Sequence, residues 1–245
     1  MVDYKILLAG DTAIVVEFGD QIDRRLNSRV LSLARTLNES RLDGLVETVP
    51  TFRSLMVHYD PIVLPLEILT GCIVDLMSAP QVTEGIGRLW HLPACYDPRL
   101  APDLDHVVAQ TGLTSQQIIE QHSAVTYHVY MLGFLPGQAY LGDVPATLAL
   151  PRRETPRLQI PAGSLAIAST MTCIFPMETP CGWHLIGRSP VPLWTTQPRP
   201  SALLAPGDKV AFTPISMREY ERMLAEVTAG TFQVHPVDEQ IGVAA

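Results

Sequence analysis

Residues 127–142 read YHVYMLGFLPGQAYLG, and this stretch decides what kind of domain follows it. From Tyr130 to Gly142 it carries no charge and crowds glycine, proline and aromatic side chains together, so it is neither a solvated loop nor a regular helix; something must pack against it. The same grammar continues downstream. From Thr126 to about Pro214 no helical periodicity emerges, and the short apolar segments YHVYML, SLAIAS, WHLIGR and DKVAFTPI are parted by proline or glycine at intervals of roughly 8 to 12 residues. Short strands at that spacing predict a β-barrel or sandwich.

Upstream the pattern differs. KILLAG and AIVVEFG read as strands joined through Gly10–Asp11, and Leu26, Val30, Leu33 and Leu37 share one helical face. In RSLMVHYD, Leu55, Val57 and Tyr59 alternate with Met56 and His58 as in a strand, and Ile68, Leu69, Cys72, Ile73, Leu76 and Met77 form a second helical stripe. Two helices covering one face of a small sheet make an α+β sandwich. Proline, glycine and polar residues interrupt the periodicity over SAPQVTEGIGRLWHLP, residues 78–93. The expected division is therefore an N-terminal α/β domain, residues 1–88, and a β-barrel domain, residues 89–245. Two short helices open the second domain, one starting at Thr114 with Gln117 three residues on. A last helix opens at Ser216 with Glu219, again a reciprocal capping pattern. The last dozen residues are expected to be loose.

The 245 residues include 21 prolines and 16 glycines, consistent with many turns and short elements. A net charge of −8 with no Lys/Arg-rich run argues against a nucleic-acid partner. No basic segment precedes the first apolar residues and no apolar run is long enough to span a bilayer, which predicts no membrane association and a cytoplasmic location. Cys72, Cys95, Cys173 and Cys181 lack C-x-x-C spacing and read as small buried hydrophobes in a reduced compartment.

Self-sufficient catalytic motifs are missing. There is no P-loop pattern, GIGRLW lacks the third glycine of a dinucleotide fingerprint, Ser164 does not sit in a nucleophile elbow, and no His/Cys/Asp set has metal-ligand spacing. His122 stands where a helix gives way to the uncharged stretch, so its ring is expected to face a cleft and titrate near neutral pH. The densest polar constellation is LPRRETPRLQIPAGS with Arg152, Arg153 and Arg157, followed by ETPCGWHLIGRSP with Glu178, Trp183, His184 and Arg188. Proline-stiffened loops hold guanidinium forks in place, which suits carboxylate or phosphate. The same arginines would equally cover barrel edges and pair with acids such as Asp143 and Glu154, and the sequence leaves both readings open.

These residues resemble a known family, the KipI-like proteins, which include the B subunit of 5-oxoprolinase, allophanate hydrolase subunit 1 and the histidine-kinase inhibitor KipI, of the carboxyltransferase subdomain C/D type. The resemblance rests on LAGDTAIVVEFG, VPTFRSLMVHYDP and LPACYD in the first half. In the second it rests on HSAVTYHVYMLGFLPGQAYLG, LPRRETPRLQIPAGSLAIA, FPMETPCGWHLIGRSP and LLAPGDKVAFTPI. It implies that the second domain is a cyclophilin-like barrel. It also implies a cleft lined by Gly133, Phe134, Pro136, Gly137 and Tyr140, with Gly133 and Gly137 admitting close backbone approach and Phe134 and Tyr140 forming apolar walls. Arg157, Glu178 and Trp183 join the binding set. His122, Arg152 and Arg188 are the expected catalytic groups, and His122, Tyr140, Arg152 and Arg188 are expected to converge on one cleft. This chain departs from the family pattern at Gln138–Ala139, where an aromatic and a proline are usual, and at Met171 and Cys173, where glutamine and glycine are usual.

The resemblance further implies a non-autonomous member of an ATP-dependent hydrolase complex that opens a cyclic amide, 5-oxoproline to glutamate. Its partner would be a protein like the C subunit of that complex, with a possible A-type protein as well, and ATP would be shared with the partner. Two other uses of the family stay open: an inhibitor that binds a sensor histidine kinase, and a component of a urea- or allophanate-related carboxyltransferase.

Overall fold

The computed structural model describes residues 4–78, 87–196 and 201–237. It divides into two compact units, residues 1–86 and 87–245. Residues 79–86 of the expected interdomain segment, and residues 238–245 of the tail expected to be loose, lie outside the described residues.

In the first unit, β1 (Lys5–Leu8), β2 (Ala13–Glu17), α1 (Arg24–Ser40), β3 (Leu45–Pro50), β4 (Ser54–Tyr59) and α2 (Leu66–Ser78) follow one another. The strands form an antiparallel sheet in the order β1-β2-β4-β3. Asp23 caps α1 by accepting from the amides of Arg25 and Leu26. The Val30–Leu33–Leu37 stripe of α1 packs on Ile14, Val16, Leu55 and Val57, all buried. Leu69 and Ile73 of α2 close the same core, but Ile68 is 58% exposed, so the second stripe is narrower than the sequence suggests. Strand β3 is not evident in the sequence: its glutamate and proline obscure the alternation.

The second unit contains β5 (Leu89–Cys95), α3 (Leu104–Thr111), α4 (Ser115–Ser123), β6 (Thr126–Leu132), β7 (Ala139–Gly142), β8 (Arg157–Ile160), β9 (Ser164–Ala168), β10 (Met171–Ile174), β11 (Thr179–Cys181), β12 (His184–Arg188), β13 (Lys209–Ile215) and α5 (Met217–Thr228). Seven strands close a barrel in the order β10-β7-β6-β13-β5-β12-β9, with β9 pairing β10. The fold is thus α+β, as expected. Both capping boxes form, Thr114 with Gln117 and Ser216 with Glu219. Among the described residues of the Thr126–Pro214 region, helical structure is confined to a short 3-10 segment, Ala146–Leu148.

Strand β5 falls in the segment that the sequence presents as a proline-rich boundary. Pro93 is tolerated there because β5 runs parallel to β13 along its whole length, whereas β12 joins it only at Cys95. Buried Asp208 fixes this pairing by accepting from the Arg88 backbone and guanidinium, from Trp90 Nε1 and from the Ala205 amide. Inside, Leu92, Val129, Leu141, Leu165, Ile167, Ile186 and Phe212 fill the barrel. Each fully buried side chain of this kind contributes about 1.5–3 kcal/mol.

Candidate functional site

The uncharged stretch forms the β6–β7 hairpin. Its turn is fixed by two backbone bonds, Gly133 N–H to Gln138 O at 3.0 Å and Gln138 N–H to Leu135 O at 3.1 Å. Gly137 has φ +74 and is buried; a Cβ there would lie 2.6 Å from Trp194 Cβ and 2.8 Å from the Leu193 carbonyl. The close approach it permits is therefore to the protein's own chain, not to a ligand. Phe134, expected as a cleft wall, stands 68% exposed at the turn with φ 70, and Pro136 beside it is exposed as well. Gly133 is half-buried under Met131.

Ala139 and Leu141 enter the barrel core, so Tyr140 points outward. There it meets Trp183 edge to face, ring centroids 6.1 Å apart, and Trp183 in turn meets Phe175 at 6.3 Å. Burial pushes the Tyr140 phenol up, and the nearby Arg152 guanidinium pulls the other way. Thr172 reaches the barrel interior, so Met171 and Cys173 share the outer face with Tyr140. The departures from the family pattern at 138 and 173 meet there. Gln138 is 1% exposed, its Nε2 lies 3.9 Å from Cys173 Sγ, and its Oε1 is buried with no partner. Burial raises the thiol of Cys173 well above its usual range and raises that of Cys181, so neither is a ready nucleophile. All four cysteines are free.

Below this wall the arginine constellation resolves into two roles. Asp103, at the start of α3 and nearly sealed from solvent, accepts from Arg157 Nη1 and Nη2 at 2.7 and 2.6 Å, from Arg153 Nη1 at 2.6 Å and from the Leu185 amide at 2.7 Å. Burial works to raise its carboxyl pKa, but the Arg157 fork, the Leu185 amide and Arg153 outweigh it, and the net direction is down. Arg157, expected to bind a ligand, is instead half of this internal clamp, which ties β8 to α3 and β12. Arg152 is exposed, and no acid among the described residues pairs with it.

Arg152 opens onto a cavity of about 400 Å³ lined by Leu150–Thr155 together with His106, Gln110 and His184. The imidazoles of His106 and His184 stack at 5.3 Å and 13°. His184 Nε2 lies 2.8 Å from the Pro151 carbonyl, which can only accept, so Nε2 carries the hydrogen. Its Nδ1 is then a lone-pair acceptor, buried and without a partner; Arg153 Nε is likewise an unpartnered donor.

His122 is elsewhere. It is fully buried inside the barrel, stacked on Phe212 at 4.9 Å, with Nδ1 2.8 Å from Tyr96 Oη and Nε2 3.0 Å from Thr172 Oγ1. Thr172 donates its own hydrogen to the Ala166 carbonyl, so His122 donates from Nε2 and accepts Tyr96 O–H at Nδ1. Burial lowers its pKa from 6.5 to about 3. It faces no cleft, and the proton-transfer role expected of it is corrected: a neutral ring with both nitrogens occupied is a structural element. Arg188 sits at the far end of β12, opposite Cys95 and Ser164, roughly 13 Å along the strand from His184. Its Nε is buried and unpartnered. The expected convergence of His122, Tyr140, Arg152 and Arg188 does not occur; only Tyr140 and Arg152 are neighbours. Glu178 is exposed and lies outside the cavity lining. His106 escapes a reading of the sequence because nothing local marks it; its partner is 78 positions away on another strand.

Among the described residues no group of His, Cys, Asp and Glu is arranged to hold a metal ion, and no helix is long and apolar enough to cross a membrane. Residues 4–204 match the family model for the carboxyltransferase domain, subdomain C and D. The chain is 36% identical over 230 residues to the B subunit of 5-oxoprolinase from Bacillus subtilis, covering 89% of this chain and 96% of that protein. Its fold superposes on the crystal structure of TTHA0988 with a TM-score of 0.76 at 33% identity, covering 83% of this chain and 40% of that one. It also superposes on the Kluyveromyces lactis urea carboxylase with a TM-score of 0.78 at 19% identity, covering 96% of this chain and 24% of that one, a likeness of fold alone.

Proposed function

This chain belongs to the carboxyltransferase C/D-subdomain family that includes the 5-oxoprolinase B subunits, and from that premise we propose that it is the B subunit of a 5-oxoprolinase. In this role it acts with a C-type partner chain, and with an A-type chain where one exists, to open 5-oxoproline to glutamate at the expense of ATP. The observation that carries the reading is the end-to-end match with the Bacillus subtilis protein, 89% of this chain against 96% of that one. Two further relatives of that name, from Escherichia coli O157:H7 and Haemophilus influenzae, are 36% and 32% identical.

The geometry supports a protein that needs its partners. Cys173 and Cys181 are held as thiols, His122 is sealed and neutral, and Arg153 and Arg157 are committed to Asp103. The guanidinium of Arg152 at the cavity suits one oxyanion, which supports a reading in which ATP is shared with the partner chain. What this chain supplies is the aromatic wall of Tyr140 and Trp183 and the cavity next to it. The test is reconstitution: the purified chain alone leaves 5-oxoproline intact, and mixing it with the C- and A-type chains yields ATP-dependent glutamate. A fully assembled complex without that turnover, or turnover by the lone chain, overturns the reading.

A further inference from the structure

The cavity beside Arg152 has a chemical signature that the family match does not supply. The chain carries a net charge of −8, yet around this cavity three guanidiniums, Arg152, Arg153 and Arg157, stand against two carboxylates, Asp103 and Glu154. Asp103 has its oxygens filled by the two inner arginines and the Leu185 amide. A positive charge is thus left over at the mouth of a concave, partly apolar space, and such a place collects anions. The second feature is independent of charge. His184 is 3% exposed and its tautomer is fixed by the Pro151 carbonyl, which leaves Nδ1 as a buried acceptor without a donor. A buried polar atom with no partner forfeits its hydration and gains nothing in return, so its persistence points to a donor that arrives from outside the chain. Stacking on His106 holds the ring in place.

We propose that this cavity binds a small molecule that presents a carboxylate next to an N–H donor, the carboxylate on Arg152 and the N–H on His184 Nδ1. Leu150 and Pro151 supply an apolar floor for a compact carbon skeleton. A lactam of an α-amino acid has both groups on one ring. The inference therefore deepens the proposed function and rests on it for the choice of 5-oxoproline as probe.

The test is calorimetric titration of the full chain with four compounds: 5-oxoproline; its lactone counterpart, with ring oxygen in place of N–H; 2-pyrrolidinone, which lacks the carboxylate; and inorganic phosphate. The expected order has 5-oxoproline binding saturably and at least about tenfold tighter than each of the others. Arg152→Gln is expected to weaken it at least about tenfold, whereas Arg222→Gln, on the exposed face of α5, leaves it unchanged. His184→Phe is expected to abolish the preference for lactam over lactone, a readout that loss of packing alone does not move. If that variant does not fold, the lactam-to-lactone ratio on the wild-type chain decides. Equal binding of lactam and lactone, tightest binding by phosphate, an unaffected Arg152→Gln variant, or no saturable binding overturns the inference. Absence of binding with an active reconstituted complex sinks the inference and spares the proposed function; binding with an inactive complete complex does the reverse.

Discussion

The barrel carries two buried histidines in opposite circumstances. His122 has a partner on each ring nitrogen and an aromatic ring on its face; His184, lining the cavity beside Arg152, has one nitrogen bonded and one left open. Both are almost wholly removed from solvent. Burial by itself therefore does not separate a structural group from a ligand-facing one. The difference lies in whether the chain satisfies both ring nitrogens, as it does at His122 but not at His184.

The largest effect should come from the frame of the cavity. Asp103→Asn removes the charge that holds Arg153 and Arg157, and is expected to cost about 3 kcal/mol or more in denaturant unfolding. A loss below about 1 kcal/mol would mean that the outer face is not clamped as described. Next is the acid response of His122. Its folded pKa of about 3 lies below the ordinary 6.5, so the unfolded chain binds the extra proton. The associated stability is fully present above about pH 6.5 and is lost as pH falls towards 3, amounting to about 2 kcal/mol by pH 5. His122→Phe should be less stable at pH 7 and should lose about 2 kcal/mol less than wild type between about pH 7 and pH 5. An identical pH dependence in the two proteins contradicts the assignment. A smaller effect is expected at Gln138→Leu, which trades an unpartnered buried Oε1 for carbon and should change stability by less than about 1 kcal/mol. Arg152→Gln should change it least, within about 0.5 kcal/mol, because the side chain is exposed.

The fold was legible where local chemistry dictates it. The Leu26–Leu37 spacing, the Leu55–Val57–Tyr59 alternation and the capping pairs at Thr114 and Ser216 each specify an element without help from distant residues. Strands β3 and β5 were hidden because Glu47 and Pro93 break the pattern, and their place is set by pairing partners elsewhere in the chain. The candidate site was legible only in part. Arg152, Tyr140 and Trp183 stand out in the sequence and lie close together, but which arginine stays uncommitted depends on Asp103, some 50 positions upstream. His122 misleads because its position at a helix-to-strand junction says nothing about which way the ring turns. Its direction follows from Thr172 and Tyr96, which the barrel brings to it.

The contrast between the two imidazoles can be read directly by following the ring resonances of the full chain by NMR as 5-oxoproline is added. The account predicts that the His184 signals, and those of His106 stacked on it, move saturably while the His122 signals stay fixed at neutral pH. Movement of His122 with His184 unchanged would contradict it and place the ligand inside the barrel.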